Sequence, residues 1–323
     1  MNKDAIFITE IQHLKVKEDL GKGIQFSVLE EDGGREDLFL TNNSQVIKSL
    51  INDDFIKLAG INESEYLKRA KLVVYKKFKL DSKGKDQGAL LDSFLRAIKV
   101  LLRKLWRLRD HNGHFNIGFL LYNINDGIQI TSNYYSGIHY SSNGLQQNIL
   151  LSKQEVEEAV EYSGAILSAG SDRKQGTQLT KGLPKLTVCD YYLQVAIYTR
   201  DLAMRIAHYC TCFEALFSND KTELSHKLSE RVAYYISETP EERLDVYKAL
   251  KSAYAIRSTV VHGGALNAKA ESSLISLSVS CDSYLRRVFK YVESGQKADI
   301  FSMDGEEFEN YFIRLILNYP GSA

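Results

Sequence analysis

The spacing of apolar residues changes character near the middle of the chain. In the first half, short alternating or wholly apolar runs at 5–9, 14–17, 24–29, 38–41 and 71–80 are separated by glycine and charged turns such as Glu31-Asp32-Gly33-Gly34, which predicts strands. Runs at 115–122 and 128–131 flank Asn125-Asp126-Gly127 and predict a hairpin. Three stretches depart from this pattern. Ser44 can cap a helix carrying Val46, Ile47, Leu50 and Ile51. Between 89 and 109, Leu90, Leu91, Phe94, Leu95, Ile98, Leu101, Leu102, Leu105 and Leu108 recur at helical spacing and predict an amphipathic helix. Ser152-Lys153-Gln154-Glu155 is a capping box that opens a further helix to about residue 167.

From Leu186 onward only helical periods remain. One helix is predicted from 188 to 217, with Leu202, Ile206, Tyr209, Cys210, Phe213, Leu216 and Phe217 on one stripe, and a second from 223 to 236. A third opens at Thr239-Pro240-Glu241-Glu242, buries Val246, Ala249, Leu250, Ala253 and Val260, and stops at Gly263-Gly264. Helices at 268–292 and 306–317 follow. The whole predicts an α+β chain: a mixed strand and helix domain over 1–170, a linker over 171–185 inside the polar, glycine-rich stretch that begins at Ser168, and an all-helical domain over 186–323.

Composition narrows the picture little. The 323 residues, 44% hydrophobic and 25% charged, are those of a globular protein, and 41 basic residues balance 41 acidic ones, so no bulk charge points to nucleic acid or membrane and any phosphate binding must be local. The apolar run Ala5-Ile6-Phe7-Ile8 is too short for a signal-peptide core or a membrane span, which predicts a cytoplasmic protein with no membrane partner. Cys210 and Cys212 would point about 200° apart on a helix. With Cys189 and Cys281 they read as reduced cysteines, several of them in the core. No histidine shows ligand-like spacing, so neither a metal nor a cofactor is expected.

Two local features carry candidate chemistry. The helix at 89–109 presents Arg96, Lys99, Arg103, Lys104 and Arg107 on the face opposite its leucines, either a solvated basic surface or one that holds an RNA backbone. The second is Arg257 and His262 at the end of the third C-terminal helix. Arg257 falls only ~40° from the centre of the apolar stripe, so it needs a carboxylate, a carbonyl or a phosphate. Glu214, on the flank of the 188–217 stripe, is the first candidate partner. His262 lies ~140° of rotation and about 7.5 Å of rise further on, beside the negative end of the helix dipole, where a histidine can exchange a proton near neutral pH. A salt-bridged arginine beside a histidine satisfied by carbonyls is the competing explanation. The string itself is weak evidence, because Arg109 and His114, or Arg107 and His114, match it too.

Context separates these matches. The run Tyr254-Ala255-Ile256-Arg257-Ser258-Thr259-Val260-Val261-His262-Gly263, preceded by Phe213-Glu214-Ala215-Leu216 and by Glu223 through Arg231, resembles the HEPN superfamily, and within it the Apea-like branch of prokaryotic anti-phage proteins, over roughly 188–292. The resemblance implies a HEPN-like helical bundle that forms a homodimer in which two Arg-x4-His motifs face each other. It implies a metal-independent endoribonuclease with RNA as substrate, Arg257 on the scissile phosphate, His262 moving a proton, and Glu214 and Ser258 in support. A 2′,3′-cyclic phosphate would be the product. The mixed N-terminal half lies outside the resemblance and would sense a phage-derived trigger or a regulatory partner. Gly263-Gly264-Ala265 stands where nucleotidyltransferase-paired HEPN toxins carry a tyrosine, which argues against control by modification there. The rival function is a non-catalytic module that dimerises and binds RNA or a partner through the 89–109 helix.

Overall fold

Strand β1 (Lys3–Glu10) needs apolar residues on both of its faces because both are covered. It pairs antiparallel with β5 (Val73–Leu80) and β6 (Ile117–Ile124), in the middle of a six-stranded sheet whose order is β3-β4-β5-β1-β6-β7, with β3 at Ile24–Leu29, β4 at Arg35–Thr41 and β7 at Gly127–Tyr134. Successive side chains point to opposite faces of a strand. Phe7, Val74 and Leu120 therefore meet the leucines of α4 (Gln87–Leu108), while Ile8, Val73 and Leu121 meet α1 (Ser44–Leu50), α2 (Asp53–Ala59) and α3 (Ile61–Lys68). Short parallel strands β2 (Leu14–Val16) and β8 (Ile149–Leu151) and helix α5 (Lys153–Glu161) complete this part. The computed structural model describes residues 3–29, 35–80, 86–124, 127–134, 138–162, 177, 179–219 and 224–317. The turns at 31–34 and 125–126, the predicted extension of α5 over 163–167, and part of the predicted linker, 171–176 with 178, lie outside them.

Local signals account for most helix ends. The capping box of Ser152 and Glu155 forms at α5. At α1 the cap is Asn43 rather than Ser44, because the Asn43 side chain accepts from the Gln45 and Val46 N–H groups. Helices α2 and α3 have no counterpart in the sequence reading, being seven and eight residues long and so barely two turns of pattern.

The helical half contains α6 (Lys185–Tyr198), α7 (Leu202–Phe217), α8 (Leu224–Ile236), α9 (Pro240–Val261), α10 (Ala268–Glu293), a short 3-10 turn at Ala298–Ser302 and α11 (Gly305–Ile316). The single helix predicted over 188–217 is two. Asp201 accepts from the Met204 N–H and starts α7, while Arg205 folds back to donate Nε and Nη2 to the Thr199 carbonyl at 2.8 and 2.6 Å, closing the end of α6. Apolar spacing runs on across this break, so periodicity alone does not register it.

The chain forms two compact units, residues 1–139 with 146–166 and residues 140–145 with 167–323. The six-residue segment 140–145 belongs with the helices because fully buried Arg205 also donates to the Ser141 carbonyl, Tyr140 N–H donates to Ile197, and Ser278 Oγ donates to the Ser142 carbonyl at 2.6 Å. Among the described residues no helix is long and apolar enough to cross a membrane.

Candidate functional site

Helix α9 carries the candidate residues, and its two ends are fixed in different ways. At the start, Thr239 accepts from the Glu242 N–H with Pro240 in the first turn. At the finish, His262 is the C-cap residue, Gly263 turns left-handed with φ 76°, the Gly263 N–H donates to Val260 at 3.1 Å and the Gly264 N–H donates to Thr259 at 2.8 Å. Those two bonds are a Schellman closure, which satisfies carbonyls that a helix end otherwise leaves open. His262 is therefore held by a defined helix end and not by a drifting loop.

Between the ends, α9 buries Val246, Leu250, Ala253 and Ile256. Val260, expected in that stripe, is half-buried, and Ile256 takes its share of the core. Arg257 follows Ile256 at the rim. Its Nη2 lies 3.3 and 3.4 Å from the two carboxylate oxygens of Glu214 on α7, the partner expected from the helix projection. The side chains are 24% and 18% exposed, so the pair is partly shielded but open to an incoming group. Arg257 Nε and Glu214 Oε1 are buried without a hydrogen-bond partner. Such orphan atoms are uncommon in proteins, though Ser237 Oγ, Arg243 Nε and Glu309 Oε1 are in the same condition elsewhere in the helical half.

Tyr254, one turn before Arg257, completes the cluster. Its ring centroid lies 5.3 Å from the guanidinium carbon, and its phenol stands near the Glu214 carboxylate. Burial pushes the Tyr254 phenol up to about 12, and the Glu214 charge adds to the effect. Beneath them Cys210 is fully buried, and burial, then neighbouring Cys281 and Glu214, raise its thiol well above the ordinary range. It has no nucleophilic character. Tyr254 was legible in the sequence as the tyrosine of the Tyr-x-x-Arg part of the HEPN resemblance, at helical i,i+3 spacing from Arg257; its nearness to Glu214 on α7 was not.

His262 is exposed and its N–H donates to the Ser258 carbonyl at 3.3 Å. Ser258 is half-buried on the last turn of α9. Arginine and histidine thus stand on one rigid element but on different sides of it. Exposed Val261, at 52%, adjoins the histidine, and Ile275 and Val279 are exposed at 58% and 39% on α10.

The basic row on α4 is less available than its sequence suggests. Of Arg96, Lys99, Arg103, Lys104 and Arg107 only Arg96 is exposed, and it pairs with Asp92 one turn back. The others are half-buried: Lys104 lies over the Tyr162 ring, Arg107 over Trp106, and burial with the Arg103 charge brings Lys99 down to about 8. Packing of α5 along α4 covers the stems that a lone amphipathic helix would leave in water. All four cysteines are free and buried, and among the described residues no group of three His, Cys, Asp or Glu is arranged to hold a metal. Comparison with protein-family models, with curated proteins and with solved structures finds no match to this chain.

Proposed function

We propose that this chain is a HEPN-type endoribonuclease that needs no metal ion, serves as an anti-phage or toxin effector, and completes its site with a second copy of itself. The observation that carries the reading is Arg257, partly shielded and ordered by Glu214, on the same rigid helix as an exposed histidine at its capped end. In this reading His262 removes the proton of a ribose 2′-hydroxyl, and the freed oxygen attacks the adjacent phosphorus. Arg257 balances charge gathering on the non-bridging oxygens. The 5′-oxygen departs with a proton supplied by His262 of the partner subunit, leaving a 2′,3′-cyclic phosphate and a 5′-hydroxyl. DNA lacks the attacking group.

Two copies are called for because one helix turns its arginine and its histidine to different sides. Val261, Ile275 and Val279 are apolar side chains that a second copy would cover. The N-terminal unit would then carry the response to a trigger or regulator. A purely structural Arg257–Glu214 bridge in a non-catalytic module is the second reading, favoured by the same contact.

Incubation with RNA in chelator decides between them. Cleavage that disappears in both Arg257→Ala and His262→Ala is the expected result, with activity partly restored when the two inactive chains are mixed. Cleavage that survives both substitutions would remove the site assignment, and the lack of any cleavage or RNA binding by the unaltered chain would favour the non-catalytic module.

A further inference from the structure

We propose that Tyr254 is a positioning residue whose ring orients the Arg257 guanidinium beside Glu214. The proposal rests on the nuclease reading of this site. The ion pair by itself is a poor clamp: its contacts are long, at 3.3 and 3.4 Å, and both come from Nη2, while Nε makes none. A guanidinium held through one nitrogen can swing about that contact, whereas a bidentate fork cannot. The Tyr254 ring, 5.3 Å from the guanidinium carbon, supplies a second, facial constraint.

The ring orients and the phenol does not react. Burial, with the Glu214 charge nearby, pushes the phenol up to about 12 and keeps it neutral over the whole range in which a histidine exchanges protons. Tyr254, Arg257 and Glu214 are drawn from two helices packed against each other, α9 and α7. The constraint is therefore set by the core and survives approach of a ligand from outside.

The test uses the full chain with Tyr254→Phe, which keeps the ring and drops the hydroxyl, and Tyr254→Leu, which drops both. Cleavage of a random-sequence fluorophore–quencher oligoribonucleotide should show kcat within about twofold in the Phe variant, which keeps the ring over the guanidinium, and reduced about fivefold in the Leu variant, the worth of one cation–π contact. KM should stay within about twofold, because the lost interaction is one of orientation in the transition state. In parallel, the Nε–H resonance of Arg257 in chains labelled with 15N-arginine should report a rigid group in the unaltered protein and the Phe variant and a mobile one in the Leu variant. Unchanged kcat in both variants, with Arg257→Ala inactive, would overturn the positioning role and leave the nuclease reading standing. Cleavage by Arg257→Ala at the unaltered rate, or none by any chain, would overturn the nuclease reading. The arginine resonance would then still decide whether Tyr254 holds Arg257: equal mobility in all three chains refutes it.

Discussion

The same string, an arginine followed after four residues by a histidine, occurs in both units and has opposite fates. In the helical unit Arg257 and His262 sit on the last two turns of one helix, the histidine in solvent and the arginine at a shielded rim. In the N-terminal unit Arg109 and His114 flank an irregular turn that the core has absorbed. Arg109 donates to the Leu150 carbonyl at 3.1 Å and pairs with Glu155 at 3.3 Å. His114 is 4% exposed, bonded through Nδ1 to the Asn112 carbonyl and packed against the His13 ring in a tilted pair with centroids 5.2 Å apart. Its neighbour His111 takes the Gly113 N–H on Nδ1 and so donates Nε2–H to the Leu102 carbonyl. Every ring nitrogen named there serves folding. A motif of this length identifies chemistry only when the histidine keeps its exposure and the arginine an unfinished set of partners.

On the proposed nuclease reading, the largest difference expected between the two regions is in RNA cleavage. Arg257→Ala and His262→Ala should each lower RNA cleavage by about a hundredfold or more, the scale of losing a group that acts on transition-state charge or a proton in flight. Arg109→Ala should leave it within about twofold, since its pair is exposed and its loss is worth little. Comparable losses in all three would abolish the distinction drawn between the two strings.

Stability should reverse the order. His114→Ala empties a buried, hydrogen-bonded position and should cost about 2–3 kcal/mol. His262→Ala, at an exposed helix end, should cost less than about 0.5 kcal/mol. Trp106 makes the measurement selective: it is the only tryptophan of the chain and lies buried in α4 of the N-terminal unit, so its emission in urea follows that unit. A loss for His262→Ala as large as that for His114→Ala would contradict the assignment of one histidine to folding and the other to the surface.

Acid should separate the two regions further. Burial, with His111, His114 and Lys99 nearby, drives His139 down to about 3 from an ordinary 6.5, and burial also lowers His114 and His13. A folded-state value below the unfolded one means that the unfolded chain binds more protons between the two, so stability falls as pH falls. The loss begins as pH drops through about 6.5 and amounts to about 1.4 kcal/mol per pH unit from His139 alone, until its own low value is approached. Urea midpoints followed by Trp106 at pH 7, 6 and 5 should decline, and His139→Gln should flatten the decline. A midpoint independent of pH would mean that these histidines are not held neutral.

How much of this could be read from the sequence depends on how local the signal is. Thr239-Pro240, the Ser152 and Glu155 box and Gly263 each act within a few residues of their own helix end, and each was legible. The α+β class followed from the change of period. Strand order was not legible, nor was the parallel pairing of β2 with β8 across more than a hundred residues, because pairing partners leave no mark on one another's spacing. The break at Thr199–Asp201 escaped because the arginine that stabilises it, Arg205, looks like any polar residue in a helix. At the candidate site, rotation about α9 placed Arg257 at the rim and nominated Glu214. The nearness of Tyr254 to Glu214 depends on the packing of α7 against α9.

The smallest effect tests the part of the comparison that depends on rigidity. Gly263 has φ 76°, a conformation that costs a residue with a Cβ roughly 1 kcal/mol, and a Cβ added there would meet nothing within 4 Å. Any cost of Gly263→Ala is therefore conformational and not steric, and Gly263→Asn, which tolerates the left-handed region better, should cost less. Released from the Schellman closure, the last turn of α9 should fray, speeding amide exchange at Gly264 and blurring the place of His262 while Arg257 stays fixed by the core. Cleavage should then fall by a smaller factor than in His262→Ala, with Asn between glycine and alanine. If alanine exchanged and cleaved as glycine does, the defined end of α9 would not be what distinguishes His262 from His114, and exposure alone would have to carry the difference.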